Sequence, residues 1–582
     1  MSAQCNISNK TIWPEDYAEE ALKKGLDSYD FVVIGGGSAG SVVASRLSEN
    51  PQWKVLLLEA GDDPPQESEL PVFSSELLNS KAAVHYVLEP NNLSCKAFKG
   101  NRCRWSRGNC LGGTGSINGM VYVEGTSYDH DLWCGKGSFG WCYNDVQKFY
   151  EKAKTPKGNS THPVGYVVLT EAKASDKEFV SFLTSAWDEL KQKRDENYLN
   201  YNFANVTFEN GHRWSTAKSY LGRVRHRSNL KIIKNAHVTK LKFDKENQKV
   251  LYVKFLLREK KSIQVQVAKE VILSAGALET PKLLMLSGIG PSGNLLPLNI
   301  SLNHNLPIGR NLQDHVVLNI YLKMPASESS SSSESVDLDG IYEYLMYSRG
   351  PLASFATGQL TAYLNTDYKN PNAPRDMHSY LVAMKKGSFQ QLDASTQISG
   401  MKNEYKEYLR QQLEKYDLLI VYILLAQPKS RGSLKLRSQS YKDPPIIDAG
   451  YFSNPEDKEV LLRGVQYVVD LLETSSFKEK QIELLTIPIA ECEKFVFKTP
   501  KYWSCFMEHF SSSGYHFAGP VKMGADGDNT TCVDPQLRIK GVQNLRVADA
   551  SIMPYVTSHN TNAPTIMIAE KAADMIKKKW AK

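Results

Sequence analysis

Three glycines and one acidic residue near the start of the chain have the spacing of a dinucleotide-binding unit. Gly35, Gly37 and Gly40 form a G-x-G-x-x-G pattern, and Glu59 follows 24 residues after the first glycine. The first glycine allows a tight turn, the second lets the backbone approach a pyrophosphate, and the third lets a helix pack closely on a strand. An acidic side chain at this distance accepts hydrogen bonds from ribose hydroxyls. The pattern indicates one bound dinucleotide, and it does not distinguish NAD from FAD.

The elements that must position these residues can also be predicted. Phe31–Ile34 is β-branched and apolar, as a strand buried on both faces should be. A helical stretch then runs to Glu49, and a second apolar strand, Trp53–Leu58, leads into Glu59. This order places the helix N-terminus against the phosphates. Another glycine-rich stretch, Gly113–Gly119, lacks a preceding strand in this interpretation, so we expect no second dinucleotide unit.

Other segments predict further strands and helices. Val271–Gly290 predicts a strand, a small-residue turn and a helix, with Pro281 in the first helical turn, where its missing N–H costs nothing. The apolar run Leu418–Ala426 predicts a buried strand, and the low-complexity run Ala326–Ser335 predicts an exposed, mobile loop. Towards the C-terminus we expect a strand and a helix in Pro445–Leu472, a short strand and turn in Leu545–Pro554, and a helix over Ala563–Lys578.

The composition is that of an ordinary globular protein. Of 582 residues, 41% are hydrophobic, 10% aromatic and 23% charged, which excludes a wholly disordered chain, a collagen-like fibre and a small disulfide scaffold. No apolar run approaches the roughly 20 residues that span a bilayer, so we expect no membrane partner. The net charge of +7 is small and no basic stripe is interleaved with aromatics, which argues against nucleic-acid binding. We interpret Lys577–Lys579 as a solvated helix end.

Cysteines and glycosylation motifs bear on the compartment. Residues 1–28 contain no basic stretch followed by an apolar core, so we expect no signal peptide here, and Met1–Cys5 could follow a removed leader. There are nine cysteines, five of them clustered at Cys95, Cys103, Cys110, Cys134 and Cys142, and seven N-x-S/T motifs, at Asn6, Asn9, Asn92, Asn159, Asn205, Asn299 and Asn529. Both features favour a secretory route and a secreted protein, with a reduced cytosolic protein as the alternative. No Cys-x-x-Cys pair is present, so we expect no metal site.

Five ordered stretches carry a family resemblance. Beyond the dinucleotide unit they are GNCLGGTGSIN (Gly108–Asn118), GALETPKLLMLSGIG (Gly276–Gly290), PIGRNLQDH (Pro307–His315), and YHFAGPVKMG followed by LRVADASIMP and NTNAPTIMIAEKAADMI (Asn560–Ile576). At this spacing they resemble the glucose–methanol–choline (GMC) family of FAD oxidoreductases over nearly the whole chain. The last stretch and WPEDY at Trp13–Tyr17 most resemble the arthropod branch.

The resemblance implies an α/β and α+β fold with two intertwined domains. A Rossmann-like FAD-binding domain would be assembled from the non-contiguous segments 29–155, 221–315 and 531–582. A substrate-binding domain would comprise 156–220 and 316–530, with an antiparallel sheet that caps the flavin. Residues from opposite ends of the chain would then lie beside one cofactor.

The resemblance also implies a mechanism. In the family, an alcohol loses its hydroxyl proton to a histidine while its carbon-bound hydrogen passes as hydride to flavin N5. The matching histidine here is His516 in GYHFAG, and an imidazole suits this work because it keeps a neutral form at working pH. The partner position, His or Asn in relatives, falls on Asn560, whose amide would hold the substrate oxygen, with His559 as the competing candidate. His315 and His509 are interpreted as buried residues with hydrogen bonds rather than as catalysts.

Further residues are implied as contacts of the cofactor. Backbone amides near Asn118 and Gly119 would lie along the flavin ring. Some relatives link FAD covalently through a His just before that Asn, and because Ile117 stands there in this chain, we expect non-covalent FAD. The full set expected to bind FAD is Gly35, Gly37, Ser38, Gly40, Glu59, Gly113, Thr114, Asn118, Gly119, Val238, Asp549 and Ala550.

Three positions depart from the family pattern. Glu124 replaces an Arg, Pro520 replaces a Thr and His559 replaces a Gly. The glutamate reverses a charge and should alter a local ion pair, and the proline removes a hydroxyl and an N–H near the catalytic loop. Neither His516 nor Asn560 is lost, but the departures favour an unusual substrate or a slow enzyme and leave an inactive one open.

The sequence therefore predicts FAD-dependent oxidation of an alcohol to an aldehyde or ketone. Oxygen or another acceptor would reoxidise the flavin in a monomer or homodimer. The 316–530 region supplies many aromatics and no concentration of carboxylates, which favours a small, largely apolar (aromatic or terpenoid) alcohol over an ecdysteroid or a sugar. The alternative functions are a secreted, non-enzymatic FAD-binding paralogue and a light-driven flavin decarboxylase.

Overall fold

The structure, a computed structural model, describes residues 10–155, 165–172, 176–326, 338–354, 360–370 and 373–581. Three predictions lie outside these residues: the Met1–Cys5 start, the motifs at Asn6, Asn9 and Asn159, and the loop predicted for Ala326–Ser335 beyond its first residue. Two large sheets organise the described part of the chain.

The first sheet is mixed, and its parallel part carries the dinucleotide unit. Its central strand, Tyr29–Ile34, pairs in parallel with a strand on each side, so that Val33 lies between Ile272 and Leu57. Burial on both faces explains why this strand is an apolar run rather than an alternating pattern. In spatial order the strands are Ala236–Phe243, Val250–Leu257, Lys261–Leu273, Tyr29–Ile34, Val55–Leu58 and Leu230–Ile233, with Leu545–Val547 also paired to Lys261–Leu273.

One helix connects the first two parallel strands. It spans Ser38–Leu47 and packs against the C-terminal helix Asn562–Trp580. An added Cβ at Gly40 would lie 1.8 Å from the carbonyl oxygen of Gly35, so glycine at this position allows the close helix–strand packing that the pattern predicts. The N- and C-terminal parts of the described chain are thus joined at this face of the sheet.

The second sheet is antiparallel. The strand Tyr416–Leu425 is buried along almost its whole length, which confirms the buried strand predicted from Leu418–Ala426. In spatial order the strands are Glu483–Leu484, Val316–Pro325, Tyr416–Leu425, Met377–Met384, Leu360–Leu364 and Leu199–Phe203, with Ser511–Ser513 also paired to Val316–Pro325.

Shorter strands and the helices complete the described fold. The small sheets pair Ser433–Lys435 with Ile446–Asp448, Ala83–Val87 with Arg104–Gly108, and Asn205–Glu209 with both Leu169–Glu171 and His212–Arg213. The remaining α-helices are Ala18–Lys24, Ser127–Gly135, Tyr143–Ala153, Lys177–Lys193, Gly276–Leu286, Ser292–Leu295, Leu338–Tyr347, Phe389–Ser399, Asn403–Leu413, Glu456–Leu472, Ser475–Glu479 and Pro500–Phe510. A π-helical turn covers Ala217–Gly222.

Two element predictions are corrected by the structure. The helix Gly276–Leu286 starts earlier than expected, because Asp549 accepts a hydrogen bond from its first N–H, so Pro281 lies in the second turn rather than the first. A strand, Arg104–Gly108, does precede the second glycine-rich stretch. It pairs antiparallel with Ala83–Val87 outside the first sheet, so it does not make a second dinucleotide unit. The other predicted elements are confirmed, as Ile446–Asp448, Glu456–Leu472, Leu545–Val547 and Asn562–Trp580.

The α/β and α+β fold class is confirmed. Every strand of the first sheet falls within the segments predicted for the FAD-binding domain, and every strand of the second falls within those predicted for the substrate-binding domain. The domain boundaries themselves stay predictions. The lysines at the end of the last helix form ion pairs, and their acidic partners are Glu49, Asp574 and Glu270.

Disulfides account for most of the described cysteines. They join Cys95 to Cys103, Cys134 to Cys142 and Cys492 to Cys505, while Cys110 and Cys532 are buried and unpaired. The one group of potential metal ligands in the described ranges combines a disulfide with His509, so its sulfurs are not free to bind a metal as thiolates. Among the described helices, we find none that combines the length and apolar character of a bilayer span.

Candidate functional site

A cavity of about 440 Å³ brings together residues from distant parts of the chain. We call Gly35–Ser38, Glu59 and Gly113 the glycine wall, and His516 with Asn560 the histidine wall. Of the predicted site residues, Gly40 packs against Gly35 and does not line the cavity. The others all line it: Gly35, Gly37, Ser38, Glu59, Gly113, Thr114, Asn118, Gly119, Val238, His516, Asp549, Ala550 and Asn560.

The glycine wall offers backbone amides to an anionic ligand. The helix Ser38–Leu47 begins after Gly37, which provides no side chain to cap the first N–H groups. Uncapped amides at a helix N-terminus form a binding site for phosphate. Gly113 lies against Gly37, because an added Cβ on Gly113 would be 2.8 Å from the Cα of Gly37. Glycine at this position therefore lets the backbone of the second glycine-rich stretch contact the backbone of the first.

Glu59 completes the glycine wall at the end of the strand Val55–Leu58. Its Oε2 accepts a hydrogen bond from Gly36 N at 2.6 Å, and its Oε1 accepts one from Gly61 N at 2.8 Å. Burial raises the pKa of the Glu59 carboxyl, and the two amides oppose that rise by favouring the carboxylate. Each oxygen keeps a further lone pair, so Glu59 can still accept a hydrogen bond from a ribose hydroxyl.

Asp549 supports the cavity from the C-terminal part of the chain. Its Oδ2 accepts from Gly276 N at 2.9 Å and from Thr280 Oγ1 at 2.6 Å. Its Oδ1 accepts from Ser551 N at 2.9 Å. Asp549 therefore caps the helix Gly276–Leu286 in addition to lining the cavity, a role that the sequence analysis missed.

These residues fit FAD. A close approach between glycines, uncapped amides at a helix N-terminus and an acidic strand end are the donors and acceptors that a pyrophosphate and a ribose require. Asn118 and Gly119, which the resemblance places at the flavin ring, line the same cavity as this wall. Ile117 also lines it and offers no atom for a covalent bond to the cofactor.

Sheet pairing builds the histidine wall. Val316 pairs with Ser513 in the second sheet, and this register places His315 beside His516. His315 Nδ1 lies 2.8 Å from His516 Nδ1, and Asn560 Nδ2 lies 3.0 Å from His516 Nε2. Three polar side chains that are far apart in sequence therefore form one chain of hydrogen bonds.

Hydrogen bonding decides where the proton sits on His516. The Asn560 amide nitrogen can only donate, so His516 Nε2 accepts and carries a lone pair. The proton of the neutral ring is then on Nδ1, which donates to His315 Nδ1. His315 Nδ1 then accepts, so the proton of the neutral His315 ring is on Nε2, which is buried without a hydrogen-bond partner in the described structure.

Burial keeps these histidines neutral. It lowers the pKa of His516 to about 4, with repulsion from His559 as the smaller cause. Burial also lowers the pKa of His315 well below its ordinary value, and His516 and His559 add to this effect. At neutral pH, His516 Nε2 therefore has a free electron pair with which to accept a proton.

Asp314 holds the backbone of His516. Its Oδ1 accepts from His516 N at 2.7 Å, and its Oδ2 accepts from Ser513 Oγ at 2.6 Å and from the Tyr451 hydroxyl. Burial raises the pKa of Asp314 to about 6 although these hydrogen bonds act against the rise. Asp314 positions the histidine wall, and sequence analysis missed it because in the NLQDH stretch only His315 was considered.

His559 does not contact His516. Its ring packs against His378 and Tyr363, with centroid distances of 4.4 Å and 5.0 Å, and it does not line the cavity. Asn560 thus makes the contact with His516, and its role in catalysis stays a prediction. His509 is buried away from this site and donates from Nδ1 to the Cys505 carbonyl at 2.9 Å.

The two other departures from the family pattern, Glu124 and Pro520, contact residues outside the histidine wall. Glu124 forms a local ion pair, with Lys154 Nζ at 2.8 Å. The carbonyl of Pro520 accepts a hydrogen bond from Gly309 N at 2.8 Å. Neither residue touches His516 or Asn560 in the described structure.

Three further polar residues of the cavity were not predicted from the sequence, namely Arg107, Glu279 and Asn562. Arg107 Nε donates to the Tyr86 hydroxyl at 2.9 Å, and that hydroxyl donates to Glu279 Oε1 at 2.6 Å. Ser38 Oγ donates to Asn562 Oδ1 at 3.0 Å, which links the start of the helix Ser38–Leu47 to the start of the last helix. Arg107 directly precedes the GNCLGGTGSIN stretch, but no pattern in the sequence marked it.

Comparison with known proteins gives the family. The family model described as GMC oxidoreductase matches residues 29–317 with its N-terminal part and 428–569 with its C-terminal part. The chain is 34% identical over 591 residues to glucose dehydrogenase (FAD, quinone) of Drosophila melanogaster, covering 100% of this chain and 91% of that protein. It is 32% identical over 599 residues to ecdysone oxidase of Bombyx mori, covering 100% and 85%.

Solved structures agree on the fold. A variant of formate oxidase from Aspergillus oryzae superposes with a TM-score of 0.80 at 23% identity, covering 95% of this chain and 99% of that one. At this identity the likeness shows the fold alone. The two matched ranges contain residues from both walls of the cavity. The chain therefore belongs to the GMC oxidoreductase family, as an arthropod-type FAD-dependent alcohol oxidoreductase.

Proposed function

We propose that this protein oxidises an alcohol to an aldehyde or ketone with His516 as the base. The observation that carries the proposal is the contact between His516 Nε2 and the Asn560 amide at the cavity wall. An accepting nitrogen and a donating amide at one point are the two partners that an alcohol hydroxyl needs. FAD, when bound, supplies the acceptor for the hydride that leaves the alcohol carbon.

The side chains of the histidine wall handle the hydroxyl proton. A substrate hydroxyl between them donates to His516 Nε2 and accepts from Asn560 Nδ2, in place of their direct contact. Because burial holds His516 neutral, Nε2 takes the proton as the hydride leaves the carbon. The alcohol loses one hydride and one proton, and the carbon–oxygen bond becomes a carbonyl.

His315 keeps the base in place when it becomes charged. The Nδ1–H of His516 donates to His315 Nδ1 before proton transfer and continues to donate to it afterwards. Asp314 holds the His516 backbone through the same step. The ring therefore needs no rotation between accepting the proton and releasing it, which lowers the cost of reorganisation.

The cavity favours a small, largely apolar alcohol. Apolar and aromatic side chains line it, namely Met120, Val121, Tyr515 and Phe517. Each acidic residue that lines the described cavity already bonds to protein groups: Glu59, Glu279 and Asp549. None of these carboxylates bonds to His516 or Asn560 in the described structure, which favours an aromatic or terpenoid alcohol over one with several hydroxyls.

The relatives favour two other substrate classes. Identity of 34% to a glucose dehydrogenase supports a sugar, and identity of 32% to an ecdysone oxidase supports an ecdysteroid. For either substrate the proposed reaction at His516 and Asn560 is the same, so only the identity of the substrate distinguishes these proposals.

An anaerobic panel tests the reaction and the substrate together. The holoprotein is mixed without oxygen with benzyl alcohol, geraniol, ecdysone or glucose, and the visible absorbance of oxidised flavin is followed. We expect benzyl alcohol or geraniol to bleach the flavin, and the methyl ether of benzyl alcohol, which has no hydroxyl proton, to leave it unchanged. Bleaching by glucose or ecdysone alone would move the substrate to that class. A flavin that dithionite reduces but no alcohol reduces would contradict the proposed function.

The acceptor and the attachment of FAD are tested on the same sample. Peroxide on readmission of air identifies an oxidase, and reoxidation only by an added quinone identifies a dehydrogenase. We propose non-covalent FAD because Ile117 lines the cavity, so acid precipitation of the protein should release the flavin to the supernatant. Light scattering of the purified protein distinguishes the proposed monomer from the homodimer.

We also propose that the protein passes through the secretory route. The three disulfides suit an oxidising compartment. The described N-x-S/T asparagines are all exposed, at Asn92, Asn205, Asn299 and Asn529. Expression behind a secretion signal in insect cells should give a protein whose mass falls on treatment with an N-glycosidase, and an unchanged mass would argue against the proposal.

A further inference from the structure

Arg213 is a buried cation that donates hydrogen bonds to a residue of the cavity wall. The residue is 2% exposed. Its Nε donates to the Ser68 carbonyl at 2.8 Å, and its Nη1 donates to the carbonyl and to Oδ1 of Asn118 at 2.6 Å and 3.0 Å. Its Nη2 is buried and has no hydrogen-bond partner within the described part of the chain. Asn118, which Arg213 holds twice, lines the cavity.

No carboxylate among the described residues is bonded to Arg213. Burial lowers the pKa of Arg213 to about 10, and Glu69 and Cys110 oppose this only in part. The Glu69 carboxylate is already paired with Lys218. A buried cation without a paired anion is costly to a fold. Because the described residues leave Arg213 without a paired carboxylate, a negative charge that develops near it is stabilised more than it would be beside a paired arginine.

The other buried arginines show the contrast. Arg46 is bonded to Glu570 at 2.8 Å, and Arg546 is bonded to Glu270 at 2.6 Å. Arg213 instead reaches the backbone of the 113–119 loop, and its Nη1 also lies 3.5 Å from the Gly115 carbonyl. Gly115 and Asn118 both line the cavity, so a ligand in the cavity would lie against the loop that Arg213 holds.

We propose that Arg213 positions Asn118 beside the flavin and stabilises the negative charge of the reduced flavin. In the reaction, a hydride brings an electron pair and one proton to the flavin, while the hydroxyl proton goes to His516. A neutral flavin therefore gains a unit negative charge. A fixed cation behind Asn118 stabilises that charge and raises the reduction potential. The role in turnover rests on the proposed hydride transfer, whereas the effect on potential requires only bound FAD.

The midpoint potential of the bound FAD tests this role. It is measured against reference dyes during reduction by a chemical reductant, so neither an alcohol nor His516 takes part. We expect Arg213→Gln to lower the equilibrium constant for reduction at least tenfold, which is a potential about 30 mV more negative for a two-electron couple. Arg213→Lys keeps the positive charge but loses the planar guanidinium. We therefore expect its equilibrium constant for flavin reduction to stay within threefold of the parent value.

Arg431 provides a matched control. Like Arg213, it has no bonded carboxylate among the described residues, and burial lowers its pKa. It donates to Asn311 Oδ1 at 3.1 Å and to the carbonyls of Pro428 and Ser430 at 2.6 Å and 2.9 Å, and none of these residues lines the cavity. Arg431→Gln should therefore leave the midpoint potential unchanged.

The outcomes separate charge from mere support of the loop. A fall with Gln and not with Lys supports the proposal. An unchanged potential in the Gln variant, or an equal fall in both variants, overturns it, because a purely structural role does not depend on the charge. If the Gln variant does not fold with FAD, the Lys variant decides: a constant within threefold of the parent supports the proposal, and a larger fall overturns it. Failure of every alcohol in the panel would overturn the proposed function without changing these potentials.

Discussion

The glycine wall and the histidine wall do different work with different atoms. The glycine wall presents backbone amides and a strand-end carboxylate, and its shape depends on the absence of side chains at Gly37 and Gly113. The histidine wall presents side-chain nitrogens, and their protonation depends on burial and on one another. The difference teaches that binding of the cofactor is specified by local backbone shape, whereas proton transfer is specified by long-range packing.

Removing the proposed base, His516, should have the largest effect, and it should slow flavin reduction without weakening FAD binding. We expect His516→Ala to slow anaerobic flavin reduction by the best alcohol by about 10²–10⁴-fold, because the base is lost. The flavin content should stay at the parent level, since the glycine wall is untouched. His509→Asn is the matched control, as His509 is also a buried histidine but bonds to the Cys505 carbonyl away from the cavity. A parent-like rate in His516→Ala would contradict the assignment of the base.

A substitution behind the glycine wall should have the opposite signature. An Ala side chain at Gly40 would place Cβ 1.8 Å from the Gly35 carbonyl oxygen, so the helix must move away from the strand. We expect a loss of about 1–3 kcal/mol in the free energy of unfolding, with a lower ratio of flavin to protein. Thermal denaturation and absorbance measure these quantities. Gly135→Ala is the control, because no heavy atom lies within 4 Å of its added Cβ.

Gly40→Ala leaves the histidine wall intact. The fraction of protein that retains FAD should therefore be reduced by alcohol at close to the parent rate. If the FAD-containing fraction were reduced slowly by alcohol, the substitution behind the glycine wall would also disturb proton transfer at the histidine wall.

Acid should affect the histidine wall more than the glycine wall. Burial lowers the pKa of His516 and of His559 from 6.5 to about 4. The unfolded chain then binds more protons than the folded protein between about pH 6.5 and pH 4, so the stability contributed by the neutral histidines is lost as the pH falls through this window. We expect the thermal midpoint to fall over this range, while kcat/KM shows no loss of the base near pH 6.5.

A variant sharpens the acid prediction. His559→Gly removes one histidine with a lowered pKa that does not line the cavity, so the thermal midpoint of this variant should fall less between pH 6.5 and pH 4 than that of the parent. A thermal midpoint that rises on acidification, or a loss of kcat/KM centred near pH 6.5, would show that His516 is not held neutral.

A charge outside both walls should have the smallest effect. Glu124 forms a partly exposed ion pair with Lys154 at 2.8 Å. We expect Glu124→Gln to cost at most about 1 kcal/mol in unfolding free energy, because partly exposed pairs are screened by water and salt. Flavin content and the rate of reduction should match the parent. A large loss of either would mean that this departure from the family pattern reaches the cavity.

The dinucleotide unit was predictable because its information is local. The strand Tyr29–Ile34, the helix after Gly37 and the strand before Glu59 follow each other within a short segment, and each has its own pattern. The strand Arg104–Gly108 was missed because it has no strong apolar pattern, and it belongs to a two-stranded sheet outside the first sheet.

The contacts of the histidine wall were not predictable in the same way. His516 and Asn560 were found by resemblance, but nothing in their own segments shows that His315 contacts His516. That contact depends on the pairing of Val316 with Ser513, and a shift of one residue in a strand turns every side chain to the other face. The roles of Asp314 and Asp549 were missed for the same reason, because each joins segments that are distant in sequence.

The sequence by itself determined the family, the dinucleotide unit and the types of the residues that do the chemistry. Short, ordered motifs are enough for this, because they specify local backbone shape and side-chain chemistry. Only the tertiary structure decided that His516 Nε2 carries the lone pair, that the His559 ring packs against His378 rather than lining the cavity, and that Arg213 has no bonded anion among the described residues. Protonation state, ring orientation and the cost of a buried charge depend on which groups surround a side chain. Those neighbours come from segments hundreds of residues apart, and folding alone brings them together.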